Sequence, residues 1–324
     1  MNDFILNFLK SKGKNFNSIQ QVNFAVIGRK NSGITFHRFK NQELYKNATY
    51  FDENCDVSEL LKFDVVAYNR IACNNQNLNK LLKNNNIMLI VDIDDYWKLP
   101  LSHHLRPIYV KINDEIEKNI ATADLVTTTS EYLKNKLEVF NKNIFILNNR
   151  IILPFDFKKT PQINGRVRFG VVPGSHHLDD IKIIRFPYDT DISFCGFQGD
   201  KESFEIEKHL TKNYTTVSRK YKEYLLRGYY NEKTEKKFVN EYYHRYWVKS
   251  PEEYIYLYEN IDVLLAPLKK NEFNKCKSNL KQLEAEATGT EIIATDIVPY
   301  KSVKNKIDNL FWFDAINKIK KNGL

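Results

Sequence analysis

No apolar run in the chain approaches the roughly 18 residues that a membrane-spanning helix needs, so no span is expected. The opening stretch, MNDFILNFLKSKGKNF, carries an apolar patch broken by Asp3, Asn7 and Lys10 and followed by no small-residue cleavage site, which argues against a secretory signal. Cysteine is sparse: Cys55, Cys73, Cys195 and Cys276 are scattered without a CxxC pair, as expected for reduced thiols in a cytoplasmic protein. Histidine is equally thin, with 7 in the chain. Its two adjacent pairs, His103-His104 and His176-His177, lack the i,i+4 spacing of helical metal ligands, so no metal site is expected. There is no nucleophile-elbow motif for Ser-His-Asp hydrolysis. The loop Gly28-Arg29-Lys30-Asn31-Ser32-Gly33 falls short of G-x-G-x-x-G and licenses no dinucleotide claim. No short-period repeat is present.

What is there is the material of a globular α/β protein. At 324 residues, 42% of them hydrophobic, with 19 Tyr and 21 Phe, the chain suits two domains that each bury a core. Apolar strand-like runs recur at 22–27, 63–68, 87–93, 125–129 and 144–147, separated by helical segments, one of them capped by Ser130. A polar connection, FDFKKTPQINGR, follows Pro154. A second series then runs through 167–172, 192–197, 262–268 and 291–295. Runs of this kind alternating with helices predict parallel sheets covered on both faces. The expected division is 1–155 and 156–324, with the terminal helix free to pack back on the first domain. The formal net charge of +9 favours an anionic partner.

The chemistry-bearing residues cluster in a few places. In NEFNKCKSNLKQLEAEATGTEIIATDIVPY (271–300), a helix over about 279–287 is predicted, with Ser278 as N-cap and Gly289 as its stop. Ser278, Lys281 and Glu284 share one face over roughly 9 Å. With Lys277 they suit a diphosphate at the helix start and sugar hydroxyls two turns on. In PGSHHLDDI, Gly174 and Ser175 leave a strand closely enough for a phosphate to approach, and His176 or His177 can donate to it; helix capping is the plain alternative. VDIDDYW sets Asp94 and Asp95 beyond a strand end, where an acid can orient or deprotonate an acceptor hydroxyl, while Asp92, on the strand itself, reads as structural. His103 and His104 follow in a loop. Ser32 and Gly33, with Arg38 shortly after, have a strand–loop–helix form that serves either a substrate or a simple turn. Between Thr211 and Ser250, ten Lys or Arg against four Glu, a net of +6, are interleaved with eight Tyr. Such a segment either contacts nucleic acid or forms a solvated helical pair.

DVLLAPL followed by FNKCKSNLKQLEAEATGTEIIATDIVPY resembles the donor-binding segment of GT-B glycosyltransferases, and VDIDDYW, ATADLVTTTSEYL with ILNN, and FGVVPGSHHLDDI fit the same pattern. The resemblance implies two Rossmann-like domains facing each other across a cleft and a retaining, nucleotide-sugar-dependent enzyme. The second domain would hold the donor, a UDP-sugar first among candidates, against Gly174, Ser175, His176, Lys277, Ser278, Lys281 and Glu284, with no other cofactor. The first would hold the acceptor through Ser32, Gly33, Arg38, His103 and His104, with Asp94 or Asp95 as the catalytic acid. Many members carry two glutamates with seven residues between them; Glu284 matches the second, and Cys276 stands where the first is expected. The compact, Lys- and Asn-rich chain resembles phage enzymes of the host cytoplasm. That resemblance makes a hydroxymethylated pyrimidine in duplex DNA the leading acceptor. A surface polysaccharide or lipid-linked saccharide is the alternative, reached by membrane contact through Phe4, Ile5, Phe8 and Leu9. An inactive sugar- or DNA-binding protein is the reading outside enzymes. Oligomeric state is not legible.

Overall fold

The computed structural model describes residues 1–72, 77–162, 165–174, 177–187, 189–211 and 242–323. It divides into two compact units: Met1–Ile152 with Asn271–Ser278, and Leu153–Lys270 with Asn279–Leu324. The main boundary falls three residues before the expected one. The larger difference is the eight-residue strap at 271–278, which belongs to the first unit although it follows a strand of the second.

The first unit is a six-stranded sheet: β1 (Phe24–Ile27), β2 (Thr49–Phe51), β3 (Val65–Asn69), β4 (Met88–Ile93), β5 (Leu125–Thr128) and β6 (Ile144–Ile146). All pairings are parallel, in the order β2-β1-β3-β4-β5-β6. The helical segments are α1 (Asn2–Ser11), α2 (Gly33–Thr35, continuing as a π-helical turn over Phe36–Lys40), α3 (Val57–Leu60), α4 (Leu78–Asn84), α5 (Arg106–Thr122) and α6 (Glu131–Leu137). Alternate side chains of each strand reach opposite faces. On β4, Leu89, Val91 and Ile93 join one core with Leu82, Ile116 and Leu137, while Met88 and Ile90 join another with Ile5, Leu9 and Phe39. Burying each such aliphatic side chain contributes about 1.5–3 kcal/mol. Ile5 and Leu9 have no exposed surface, so the apolar face of α1 is spent on this core. Of the four residues expected to touch a membrane, Ile5 and Leu9 are buried, while Phe4 and Phe8 pack against the same core and stay half-buried. Among the described residues, no helix is long and apolar enough to cross a membrane.

The second unit has β7 (Phe169–Val171), β8 (Ile192–Phe197), β9 (Tyr243–Val248), β10 (Val263–Ala266), β11 (Glu291–Thr295) and β12 (Asn305–Ile307). They too pair in parallel, in the order β12-β11-β10-β7-β8-β9. Counted from β7, that is the 3-2-1-4-5-6 order of a dinucleotide-binding sheet, with its reversal between β7 and β10. Helices α7 (Leu178–Ile181), α8 (Lys201–Thr211), α10 (Leu280–Thr288) and α11 (Trp312–Asn322) belong to this unit, and the short α9 (Glu272–Lys275) to the strap. Gly170 in β7 is forced by close packing: a Cβ there would lie 2.3 Å from Ile261 Cδ1. Trp312 and Ile316 are fully buried among Phe169, Phe194 and Val263, so α11 packs on the core of the second unit. The expected α/β class, with two Rossmann-like sheets in one chain, is what the strand orders show.

Candidate functional site

In a parallel sheet, ligand-binding residues sit beyond the carboxyl ends of the strands. In the first unit, β3 and β4 end side by side there, and the residues just beyond them, Arg70, Asp94 and Asp95, carry the charge. Arg70, one residue past β3, has φ +54, a left-handed conformation costly for a residue with a Cβ. It is held there from both sides: its N–H donates to the Asp92 carbonyl (3.0 Å), and its own carbonyl accepts from Asn119 Nδ2 (3.0 Å). Its guanidinium reaches Asp94 Oδ1 at 2.7 Å and donates to the Tyr109 hydroxyl. Burial opposes the Arg70 charge, but Asp94, Tyr109 and Asp95 outweigh it and hold the pKa above the usual arginine value. Asp94 also accepts from Asn69 Nδ2 at 2.9 Å. Asp95 is bound more loosely, 4.0 Å from Arg70 and 3.4 Å from Lys277 Nζ, and its side chain is 30% exposed against 15% for Asp94.

Asp92 is structural, as its place on the strand suggested, and it takes Arg38 with it. Both are buried, the guanidinium reaching Asp92 at 2.8 Å and donating further to the Leu147 carbonyl and Asn149 Oδ1. Thr127 Oγ1 donates to the same carboxylate at 2.7 Å. Arg38 was expected to bind acceptor; with its donors spent inside the fold, it has none turned to solvent. Ser32 caps α2 by accepting from the Ile34 N–H (3.2 Å), and Gly33 opens that helix, so this pair forms a capped turn. His103 and His104 stack with ring centroids 4.9 Å apart, and His103 Nδ1 accepts from the Leu105 N–H. Among the described residues no three His, Cys, Asp or Glu side chains gather as metal ligands would.

The strap explains two expectations that the structure moves. Glu272 is gripped by Lys275 (2.6 Å), Lys136 (3.1 Å) and Tyr132 (2.9 Å), which hold its carboxyl down at about 2. Cys276 is fully buried in the core of the first unit, and burial pushes its thiol up to about 12. A glutamate at that position would have to bury its charge against the core of the first unit, at a desolvation cost that the thiol does not carry. Ser278 does not cap α10. Its Oγ accepts from Asn149 Nδ2 at 3.1 Å, and Asn279 is the N-cap instead. Lys277 packs over the Phe273 ring (4.6 Å) beside Asp95. Of the residues expected to form one donor site, Lys277 and Ser278 therefore belong to the first unit, while Gly174, Lys281 and Glu284 belong to the second. Ser175 and His176 lie outside the described residues, as does most of the basic, Tyr-rich segment.

In the second unit the crevice of the reversal is closed by one buried acid. Asp180, on α7 after β7, accepts from the Lys269 N–H in the loop after β10 (2.8 Å) and pairs with His177 Nδ1 (2.9 Å). The His177 ring lies against Gly174. Across the crevice, α10 carries Lys281 and Glu284, whose Nζ and Oε2 are 2.8 Å apart. Glu284 has no exposed surface and accepts from the Tyr258 hydroxyl at 2.5 Å and from that of Tyr254. A carboxylate sealed in this way offers no oxygen to a ribose hydroxyl. Burial raises the Tyr300 hydroxyl well above its usual value, and the charges of Asp180 and Glu284 add to the effect. Gly289, φ +63, ends α10 as expected. Arg70, Asp180, Tyr254 and Tyr258 were not singled out in the sequence. The available signals were an arginine directly after the apolar run FDVVAY and two tyrosines at i,i+4 in YIYLYEN.

Similar architectures occur among solved structures. TarM matches at 12% identity over 80% of this chain and 47% of that one, with a TM-score of 0.48, so this chain spans about half of TarM's length. The glycosyltransferase of kitacinnamycin matches at 8% identity over 93% and 91%, TM-score 0.45. The UDP-GlcNAc 2-epimerase of Neisseria meningitidis, solved with UDP-GlcNAc, matches at 10% over 92% and 91%, TM-score 0.46. At such scores the description of the chain as two Rossmann-like α/β units rests on its strand orders. No protein-family profile and no curated protein sequence matches the chain.

Proposed function

We propose that the chain is a glycosyltransferase that binds a nucleoside-diphosphate sugar, a UDP-sugar first, against its second unit and transfers the sugar to an acceptor hydroxyl. The observation that carries this reading is the reversal between β7 and β10, where Asp180 ties together the two loops that leave those strands. Gly174 and His177 follow β7, and Lys281 lies on α10, later in the chain than β10. Lys281 neutralises charge that develops on the leaving diphosphate, the place where fixed electrostatics accelerate the reaction most. The first unit supplies the acid. Asp94 is held by Arg70 and Asn69, and Asp95, whose side chain is the more exposed, is the residue assigned to orient or deprotonate an acceptor hydroxyl.

The acceptor reading is a hydroxymethylated pyrimidine in duplex DNA, the kind of modified base some phages carry. The net charge of +9 supports it. A thermal-shift panel of nucleotide sugars tests the donor: a bound donor at 100 times its Kd adds about 2.7 kcal/mol of stability. A flat panel refutes the donor site. Duplex binding that weakens steeply between 50 and 200 mM salt, on the order of the counterion release expected for several phosphate contacts, tests the acceptor. Turnover unchanged by EDTA is the expected result if Lys281 carries the charge.

A further inference from the structure

Glu284 is the residue in which resemblance and geometry part company, and the geometry can be followed to a specificity. A carboxylate offers about four lone-pair positions on two oxygens. Here Tyr254 donates to Oε1, and Tyr258 and Lys281 donate to Oε2. No surface of the residue is exposed. A ribose hydroxyl would have to displace one of these donors, stranding a buried charge from its cation or its hydroxyl partners. The Lys281 side chain keeps 22% of its surface exposed, with Nζ 4.9 Å from the centre of the Tyr254 ring. Glu284 and that ring fix the ammonium from two directions. Behind it, burial pushes the Cys195 thiol up to about 12, so Cys195 stays neutral and Glu284 is the one ion-pair partner that the described residues give Lys281.

We propose that Glu284 is a positioning residue that holds Lys281 against the donor's diphosphate and does not itself read the ribose, so that losing it weakens ribo- and 2′-deoxyribonucleoside diphosphates alike. The inference rests on the donor reading above. It differs from a ribose-binding glutamate in a measurable ratio. A carboxylate that accepts from the 2′-hydroxyl makes the deoxy ligand weaker, whereas one that acts only through Lys281 affects both ligands equally.

The test titrates the full chain with UDP, GDP and ADP, each beside its 2′-deoxy counterpart, and repeats the titration with Glu284→Gln and Tyr258→Phe. For whichever base binds, the ratio of ribo to deoxy affinity in wild type is the reference, and each variant should reproduce it within about threefold. Both variants should weaken ribo and deoxy ligands together, by about tenfold for Glu284→Gln (~1.4 kcal/mol) and less for Tyr258→Phe, with the ratio unchanged. Tyr258→Phe keeps a reading available if Glu284→Gln does not fold. A wild-type preference of about tenfold for ribose that collapses in Glu284→Gln overturns the proposal and leaves the donor site standing. Variants that bind both ligands as tightly as wild type also overturn it. Failure of all six ligands to bind the wild type refutes the donor reading itself, and this inference with it.

Discussion

Asp92 in the first unit and Glu284 in the second are both carboxylates without exposed surface, and each is neutralised by a single neighbouring cation. They differ in the cation. Arg38 is 2% exposed and sends its donors to Asp92, Leu147 and Asn149, all inside the fold. Lys281 is 22% exposed and compact, with a charge that a ligand can share. Two buried ion pairs therefore do different things: a closed pair holds a sheet to its flanking turn, and an open one holds a charge ready. Sequence spacing does not distinguish them, because what matters is how the rest of the guanidinium or ammonium is surrounded.

The largest effect is expected from closing the closed pair's account of charge: Arg38→Met leaves Asp92 buried and unpaired, at a cost of about 3–5 kcal/mol. In a domain of this size thermal unfolding should fall by roughly 6–20 °C, read by calorimetry. Lys281→Gln keeps an amide donor for Glu284, so the fold should survive while affinity for a nucleoside diphosphate drops about 10–100-fold, the value of a charged hydrogen bond. If Arg38→Met proves as mild to stability as Lys281→Gln, the distinction between the pairs fails. Next, Cys195 and Cys276, one in each unit and both pushed up to about 12 by burial, should carry about a thousandfold less thiolate than an ordinary cysteine and resist iodoacetamide at pH 8. Of these three cysteines, half-buried Cys55 should label first by mass spectrometry.

The smallest effect concerns an exposed acid. The Glu272 carboxyl is lowered to about 2 in the folded chain, so its ion pairs contribute above the ordinary carboxylate range and are lost as the pH falls from about 4.5 toward 2. Glu272→Gln should flatten the acid limb of the stability curve in that window alone, with little change at pH 7.

Much of the fold was legible because strands buried on both faces read as continuous apolar runs, as in VVAY and MLIVDI, and helices between them imply parallel pairing. Gly289 and Ser130 marked helix ends because capping is a local matter. The candidate site was legible by position along the chain but not by environment. Asp94, Asp95 and Glu284 all lie near strand ends or in the helix after one, yet the sequence does not say that Arg70 turns back over Asp94 or that two tyrosines roof Glu284. Arg38 and Ser278 misled for the same reason, since their partners Asp92 and Asn149 are more than fifty residues away. Cys276 was noticed only as a missing glutamate, because nothing local shows that the strap crosses to the other unit.

That crossing has a consequence for how the chain is made. The first unit's core includes Cys276, so it cannot be completed when residue 152 leaves the ribosome; it waits until most of the second unit has been synthesised. Until then Ser130 Oγ, Asn149 Nδ2 and the space that Cys276 fills have lost their partners in the strap. A fragment ending at the apparent boundary is thus a different object from the unit it seems to isolate. Recovery of its native stability requires residues 271–278 supplied in trans or grafted onto its end.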